Sequence, residues 1–78
     1  MIDTKLLDRL ADYDNQMIAE MIDGRINGRN AERNRQILKR RLIHGVCYEP
    51  LAEEFDLSVR QTQNIVYKGV KRLLSFLC

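Results

Sequence analysis

The sequence predicts an all-α fold, namely a small four-helix domain whose last two helices form a C-terminal helix-turn-helix. Apolar residues recur at three- and four-residue spacing along most of the 78 residues, which is the periodicity of amphipathic helices. Runs of β-branched residues are few, and the chain has only one Pro and four Gly. Residues 1–78 are expected to form a single domain, just large enough for a helical core without a disulfide or metal.

The first predicted helix spans residues 3–23, with Asp3 or Thr4 as its N-terminal cap and Gly24 at its end. Its apolar stripe is Ile2, Leu6, Leu10, Tyr13, Met17 and Met21, widened by Leu7, Ile18 and Ile22. The segment up to residue 24 is acidic, with a net charge of −4. One interpretation is a scaffold helix with a solvated acidic face. The other is a dimerisation or partner helix, because the apolar stripe is wide for so small a domain.

Residues 24–29, GRINGR, are predicted to be a flexible loop. The next helix is predicted to run from about Asn30, its expected cap, to His44, with Gly45 as the left-handed residue that closes it. Its inward residues are expected to be Ile37, Leu38 and Leu42, with Ala31 and Asn34 as further candidates. Residues 25–48 contain seven basic residues and one acid, a net charge of +6. Such a cluster suits contacts with nucleic-acid phosphates, which give affinity without specificity. A solvated basic surface is the alternative interpretation.

A short helix is predicted to follow Tyr48, with Leu51, Ala52 and Phe55 facing inward. Its outer face carries the acids Glu49, Glu53 and Glu54. Ala52 is small enough to let the next helix cross closely. Asp56 is expected to take a left-handed turn conformation, which Asp tolerates better than most residues, and Leu57 to fill the gap between the helices.

Ser58 and Gln61 have the spacing of a capping box at the start of the last helix. One side of that helix is apolar or small: Thr62, Ile65, Val66, Gly69, Val70, Leu73 and Leu77. The other side has no acid and consists of Arg60, Gln61, Gln63, Asn64, Tyr67, Lys68, Lys71 and Arg72. These side-chain types bond base edges and phosphates. The alternative is that two amphipathic helices joined by a short turn occur in many small helical domains.

The segment EEFDLSVRQTQNIVYKGVKRL resembles region 4 of the sigma-70 family of bacterial transcription initiation factors, the part that reads the −35 promoter element. Phe55, Asp56, Ser58, Ile65, Lys68 and the run Lys71-Arg72-Leu73 are in register with that family. Upstream, Arg41, Gly45 and Tyr48 continue the match, which covers about residues 32–74. The small size is similar to that of sigma-like regulators from phages and mobile elements.

The sequence departs from the family pattern at five positions: Arg40, Pro50, Val59, Arg60 and Thr62. Val59 stands where primary sigma factors place a base-reading Arg, and Arg60 where they place Glu. These departures argue against the usual −35 sequence as the target. The chain also lacks any counterpart of the promoter-melting part of a sigma factor, so it is not expected to act as a complete initiation factor.

The resemblance implies a sequence-specific DNA-binding transcriptional regulator with the last helix in the major groove. Arg60, Gln63 and Asn64 are expected to read bases, and Lys39, Arg41, Lys68 and Lys71 to hold phosphates. The expected DNA-binding set is completed by Ser58, Gln61 and Tyr67. Tyr67 has two interpretations, either contact with a sugar or thymine methyl group, or cover for a neighbouring side chain. Double-stranded DNA is the expected partner, with RNA polymerase or a second copy of the chain as additions.

Two other functions remain open on sequence grounds. One is a protein-interaction module that docks on RNA polymerase or on a sigma or anti-sigma partner, and the other is a nonspecific nucleic-acid binder. No enzyme activity and no cofactor are expected, because the residues offer no catalytic set or phosphate loop. His44, Cys47 and Cys78 have only loosely metal-like spacing, so incidental thiols are favoured over a zinc site. The expected location is the cytoplasm, since the sequence shows no signal peptide or membrane span and its two Cys have no paired spacing.

Overall fold

The computed structural model describes residues 13–75, which form four α-helices and contain no β-strand. They are α1 (Asn15–Arg25), α2 (Ala31–Leu42), α3 (Tyr48–Glu54) and α4 (Val59–Ser75). The all-α prediction is therefore confirmed. The longest helix, α4, contacts each of the other three. The Cα radius of gyration, 11.5 Å, is close to the value expected for a compact chain of this size.

One core joins the four helices and lies mainly between α2 and α4. Its fully buried members are Ile22, Ile37, Leu38, Leu51, Val66, Val70 and Leu73. The apolar side predicted for α4 is buried as expected from Thr62 to Leu73, with Ile65 half-buried. Leu74 is also buried, although its position was not predicted. Of the inward residues predicted for α2 and α3, Ile37, Leu38, Leu51 and Ala52 are buried, and Leu42 and Phe55 pack against the core. The further candidates Ala31 and Asn34 are half-buried.

The contact between α2 and α4 depends on a glycine. A Cβ atom placed on Gly69 would lie 2.6 and 2.7 Å from the Cδ atoms of Leu38 and 3.1 Å from its Cγ. Leu38 is itself fully buried, so its side chain has little room to move away. Gly69 therefore allows α2 to approach α4 at the centre of the core.

The first helix differs from the prediction. The backbone is extended at Asp14 (φ −76°, ψ 169°), whose side chain accepts a 2.8 Å hydrogen bond from the Met17 N–H. The prediction of one continuous helix over residues 3–23 is therefore wrong, because Asp14 is the N-cap of a helix that begins at Asn15. The helix also continues past Gly24 to Arg25.

The apolar stripe of α1 is also centred differently. Ile18, Ile22 and Ile26 are buried at four-residue spacing, whereas 45% of Met17 is exposed. Ile26 lies just after the helix, in the segment predicted to be a loop, and its carbonyl is bonded by Arg35 at 2.7 Å. The expectation that residues 24–29 form a loop is thus wrong at Gly24 and Arg25, which are helical, whereas Ile26 lies in the connection as predicted but is buried.

The turns use left-handed residues. Asn30 is the N-cap residue of α2, as predicted, with φ 63°, and its side chain makes no capping hydrogen bond. Asn tolerates this left-handed conformation better than most residues. Gly45 (φ 68°) and Asp56 (φ 56°) are left-handed, as predicted for the turns on either side of α3. Pro50 lies in the first turn of α3, where a backbone N–H would lack a helical partner anyway.

Some predictions lie outside the described residues. They concern the caps Asp3 and Thr4, the stripe residues Ile2, Leu6, Leu7 and Leu10, and the C-terminal residues Leu77 and Cys78. Among residues 13–75, no helix is long and apolar enough to cross a membrane.

We expect Gly69→Ala to lower the free energy of unfolding by about 1–3 kcal/mol, because the added Cβ overpacks the contact with Leu38. Gly24→Ala is the matched control, since Gly24 is also helical and has no atom within 4 Å of the added Cβ. The control should raise stability by about 0.5–1 kcal/mol through better helix propensity. Urea denaturation followed by circular dichroism measures both. Equal effects of the two substitutions would contradict the close approach at Gly69.

Candidate nucleic-acid interface

The start of α4 is held by the predicted capping box. The Gln61 N–H donates to Ser58 Oγ at 3.0 Å, and the Ser58 N–H donates to Gln61 Oε1 at 2.9 Å. This reciprocal pair satisfies two backbone donors at the helix N-terminus. The box stabilises the first turn of α4 and so the backbone from which the following side chains extend.

Thr62 packs the first turn of α4 against the core. It is completely buried, and its hydroxyl donates to the Ser58 carbonyl oxygen at 3.0 Å. A buried hydroxyl needs a hydrogen-bond partner, and this bond supplies it without reaching another helix. The departure from an apolar residue at this position is therefore compatible with the core.

The exposed side of the first turns of α4 forms a shallow concavity of about 490 Å³. We call it the α4 concavity, and its lining residues are Val59, Arg60, Gln63, Asn64 and Tyr67. All five lie on one helix, so the concavity is framed by side chains and is open to solvent. It brings together four of the residues predicted to bind DNA and adds Val59.

Four polar side chains on this side of α4 are free. Arg60, Asn64 and Lys68 are exposed and Gln63 is half-buried, and none of them makes a hydrogen bond or ion pair within residues 13–75. Helix α4 contains no acidic residue, so the positive charge of this face is not neutralised along the helix. The face therefore presents donors and acceptors that the fold itself does not use.

Tyr67 and Lys71 pair with each other at the end of the concavity. The Lys71 Nζ lies 5.3 Å from the centroid of the Tyr67 ring, within the range of a cation–π interaction. Tyr67 is half-buried and Lys71 is exposed. The ring therefore contacts Lys71 and also borders the α4 concavity, and both interpretations of Tyr67 stay predictions.

The two phosphate contacts predicted on α2 are engaged within the protein. Lys39 Nζ lies 2.8 Å from Asp23 Oδ1 on α1. The Arg41 guanidinium donates to the Val46 carbonyl oxygen at 3.1 Å and stacks over the Tyr48 ring with its carbon 4.3 Å from the centroid. Neither side chain lies in the α4 concavity, and their role as phosphate contacts stays a prediction.

Other basic residues of the 25–48 segment also hold elements together. Arg35 donates to the Ile26 carbonyl at 2.7 Å and to Asn27 Oδ1 at 2.9 Å, which fixes the α1–α2 connection. Arg25 donates to the Leu73 carbonyl at 3.2 Å. Arg40 bonds Glu54 at 2.8 Å and lies 5.7 Å from the Phe55 ring centroid. Most of the basic side chains of residues 25–48 therefore bond other segments of the protein and stabilise the packing of its helices.

Val59 is the residue of the concavity that was not among the predicted DNA contacts. It is 38% exposed and directly follows the capping serine. The signal was present in the sequence, because Val59 occupies a base-reading position in the sigma resemblance. An apolar side chain, however, offers no hydrogen bond to a base.

Residues 13–75 contain no group of three or more His, Cys, Asp or Glu side chains that could hold a metal ion. His44 and Cys47 are both exposed. The third residue considered for a zinc site, Cys78, lies outside the described part of the chain.

Comparison with known protein families, with curated proteins and with solved structures found no match to this chain.

We expect Arg35→Met to lower the free energy of unfolding by about 1–3 kcal/mol, because it removes charge-assisted hydrogen bonds to the α1–α2 connection. Arg29→Met is the matched control. Arg29 is exposed in the same connection and makes no contact within the described residues. Its loss should change stability by less than about 0.5 kcal/mol. Thermal unfolding measures both, and a harmless Arg35→Met would show that the connection is not held by that side chain.

Proposed function

We propose that this chain is a sequence-specific DNA-binding transcriptional regulator. In this proposal α3, the turn at residues 55–58 and α4 act as a helix-turn-helix of the sigma-70 region 4 type. The observation that carries the proposal is the exposed side of α4, where Arg60, Gln63, Asn64 and Lys68 make no bond within the described chain. Side chains left free by the fold are available to base edges and phosphates.

The chemistry of the α4 concavity matches the major groove. Arg bonds guanine O6 and N7 in a bidentate manner, and Asn or Gln bonds adenine N6 and N7. Arg60, Gln63 and Asn64 lie near the N-terminus of α4, which is the part of a recognition helix that contacts bases. The capping box keeps the Ser58 and Gln61 side chains close to the backbone, so their role is to orient this turn.

Phosphate contacts are assigned first to Lys68 and Lys71, which are exposed farther along α4. When DNA binds, Lys39 and Arg41 would contact phosphates either in addition to their internal partners or in place of them. A single module of this size makes a small interface with DNA. Useful affinity therefore requires a second copy of the chain or a larger partner such as RNA polymerase.

We expect Arg60→Ala combined with Asn64→Ala to abolish sequence selectivity while leaving the fold intact, since both side chains are exposed and free of internal bonds. Selection of bound sequences from a random duplex pool measures selectivity, and thermal unfolding checks the fold. The matched control is Arg29→Ala combined with Asn15→Ala, which alters the same residue types in exposed positions away from α4. The same enriched motif with both double variants would contradict the proposal.

We expect Lys68→Ala to weaken binding similarly for all sequences and to reduce the slope of log affinity against log salt by about 0.9, the value for one phosphate contact. The enriched motif should stay the same. Lys39→Ala is the comparison variant, because Lys39 is paired with Asp23. A smaller change in slope for Lys39 than for Lys68 is expected from titrations at several salt concentrations. The reverse order would place the phosphate contacts on α2.

A second function, docking on RNA polymerase or on a sigma or anti-sigma partner, is favoured by the outer side of α3. Glu49 and Glu53 are exposed there and make no ion pair within the described residues, unlike Glu54, which is paired with Arg40. If docking is the function, Arg60→Ala combined with Asn64→Ala would leave binding to the protein partner unaffected. Glu49→Gln with Glu53→Gln would instead weaken pull-down of purified RNA polymerase.

A further inference from the structure

Val59 is one of only two large apolar side chains among residues 13–75 that are clearly exposed, the other being Met17 on α1. It is the first residue of α4, and it lines the α4 concavity beside Arg60 and Gln63. Exposed apolar side chains are common singly on protein surfaces. Here the exposed methyl groups lie within a cluster of polar side chains suited to base edges, which gives Val59 a defined place in any complex.

The side chain of Val59 is well suited to a fixed contact. A β-branched residue has few rotamers, and the capping box holds the backbone on both sides of it through Ser58 and Gln61. Little conformational entropy therefore remains to be lost when a partner packs against its methyl groups. Its apolar surface can make close van der Waals contacts with a partner but no hydrogen bond.

The major groove contains one apolar group that such a side chain recognises, the C5 methyl group of a pyrimidine. Thymine carries this group beside its O4 acceptor, and apolar side chains contact it directly. Val59 and Gln63 are four residues apart and are therefore neighbours on the helix surface. A methyl group bound by Val59 would thus lie next to the base that Gln63 bonds.

We propose that Val59 determines specificity by packing against the C5 methyl group of a thymine in the target site. This inference rests on the proposed binding of α4 in the major groove. It assigns to Val59 an apolar selection of thymine over cytosine or uracil. Arg60, Gln63 and Asn64 supply the hydrogen-bonded part of the recognition.

The experiment starts from the duplex enriched from a random pool by the unaltered chain. Each thymidine in that duplex is replaced singly by 2′-deoxyuridine, which removes only the methyl group, and the dissociation constant is measured. We expect at least one position at which replacement weakens binding about fourfold, the effect of burying one methyl-sized group. Val59→Ala should bind the thymine and uracil duplexes at that position equally well.

Two controls make the result specific to the methyl contact. Val59→Ile keeps a β-branched apolar side chain and should retain the preference for thymine. Val59→Ala should still unfold in one cooperative transition, because Val59 lies outside the buried core. A further duplex carries 5-methylcytosine at the sensitive position. Binding to it more tightly than to thymine would overturn the choice of thymine in favour of methylated cytosine.

The remaining outcomes are distinguishable. A sequence-specific chain with no thymine whose methyl group matters, or with the same thymine preference in Val59→Ala, would overturn the assignment of Val59 alone. Absence of any enriched motif would overturn the proposed sequence-specific function and this assignment together.

Discussion

The packing of Leu38 against Gly69 is the contact on which the rest of the structure depends. Helix α4 runs beside all three other helices, so its separation from α2 sets the room available to every other core residue. The absence of a Cβ at Gly69 lets the fully buried Leu38 side chain occupy that space. Because protein interiors are closely packed, a wider separation here would leave Val66, Val70 and Leu73 with fewer contacts.

The burial of one side of α4 has a consequence for the other side. Once Thr62, Val66 and Val70 face the core, helical geometry directs Arg60, Asn64 and Lys68 to solvent. The capping box then removes the remaining freedom of the first turn. The candidate interface is therefore rigid in its backbone, while its polar side chains have no competing partners within the described chain.

The basic residues divide into two groups with different physical roles. Arg25, Arg35 and Arg41 each donate to a backbone carbonyl of another segment. Carbonyls near helix ends and in connections lack helical partners, and a guanidinium offers several donors on a long side chain. These three side chains keep their positive charge, but their positions are set by hydrogen bonds within the protein. Arg60 and Lys68, in contrast, are both charged and geometrically free.

Much of the architecture and of the α4 site was already contained in the sequence. The periodicity of α4, the Ser58–Gln61 spacing and the left-handed turn at Asp56 are local properties, since each depends on residues within a few positions of one another. They were predicted correctly for that reason. The polar residues lining the α4 concavity follow from the same periodicity, because the exposed side of an amphipathic helix is the complement of its buried side.

The sequence by itself therefore determined that the chain is helical, how α4 begins and which of its sides is buried. Only the tertiary structure decided that Ile26 belongs to the core and that Lys39 is paired with Asp23, whereas the Asp14 cap and the Arg41–Val46 bond join residues three and five positions apart. The apolar spacing alone favours a longer helix that runs through Asp14 to Met21. The side on which α1 packs, and the carbonyl or carboxylate that each Arg or Lys reaches, depend on distances between segments far apart in the chain.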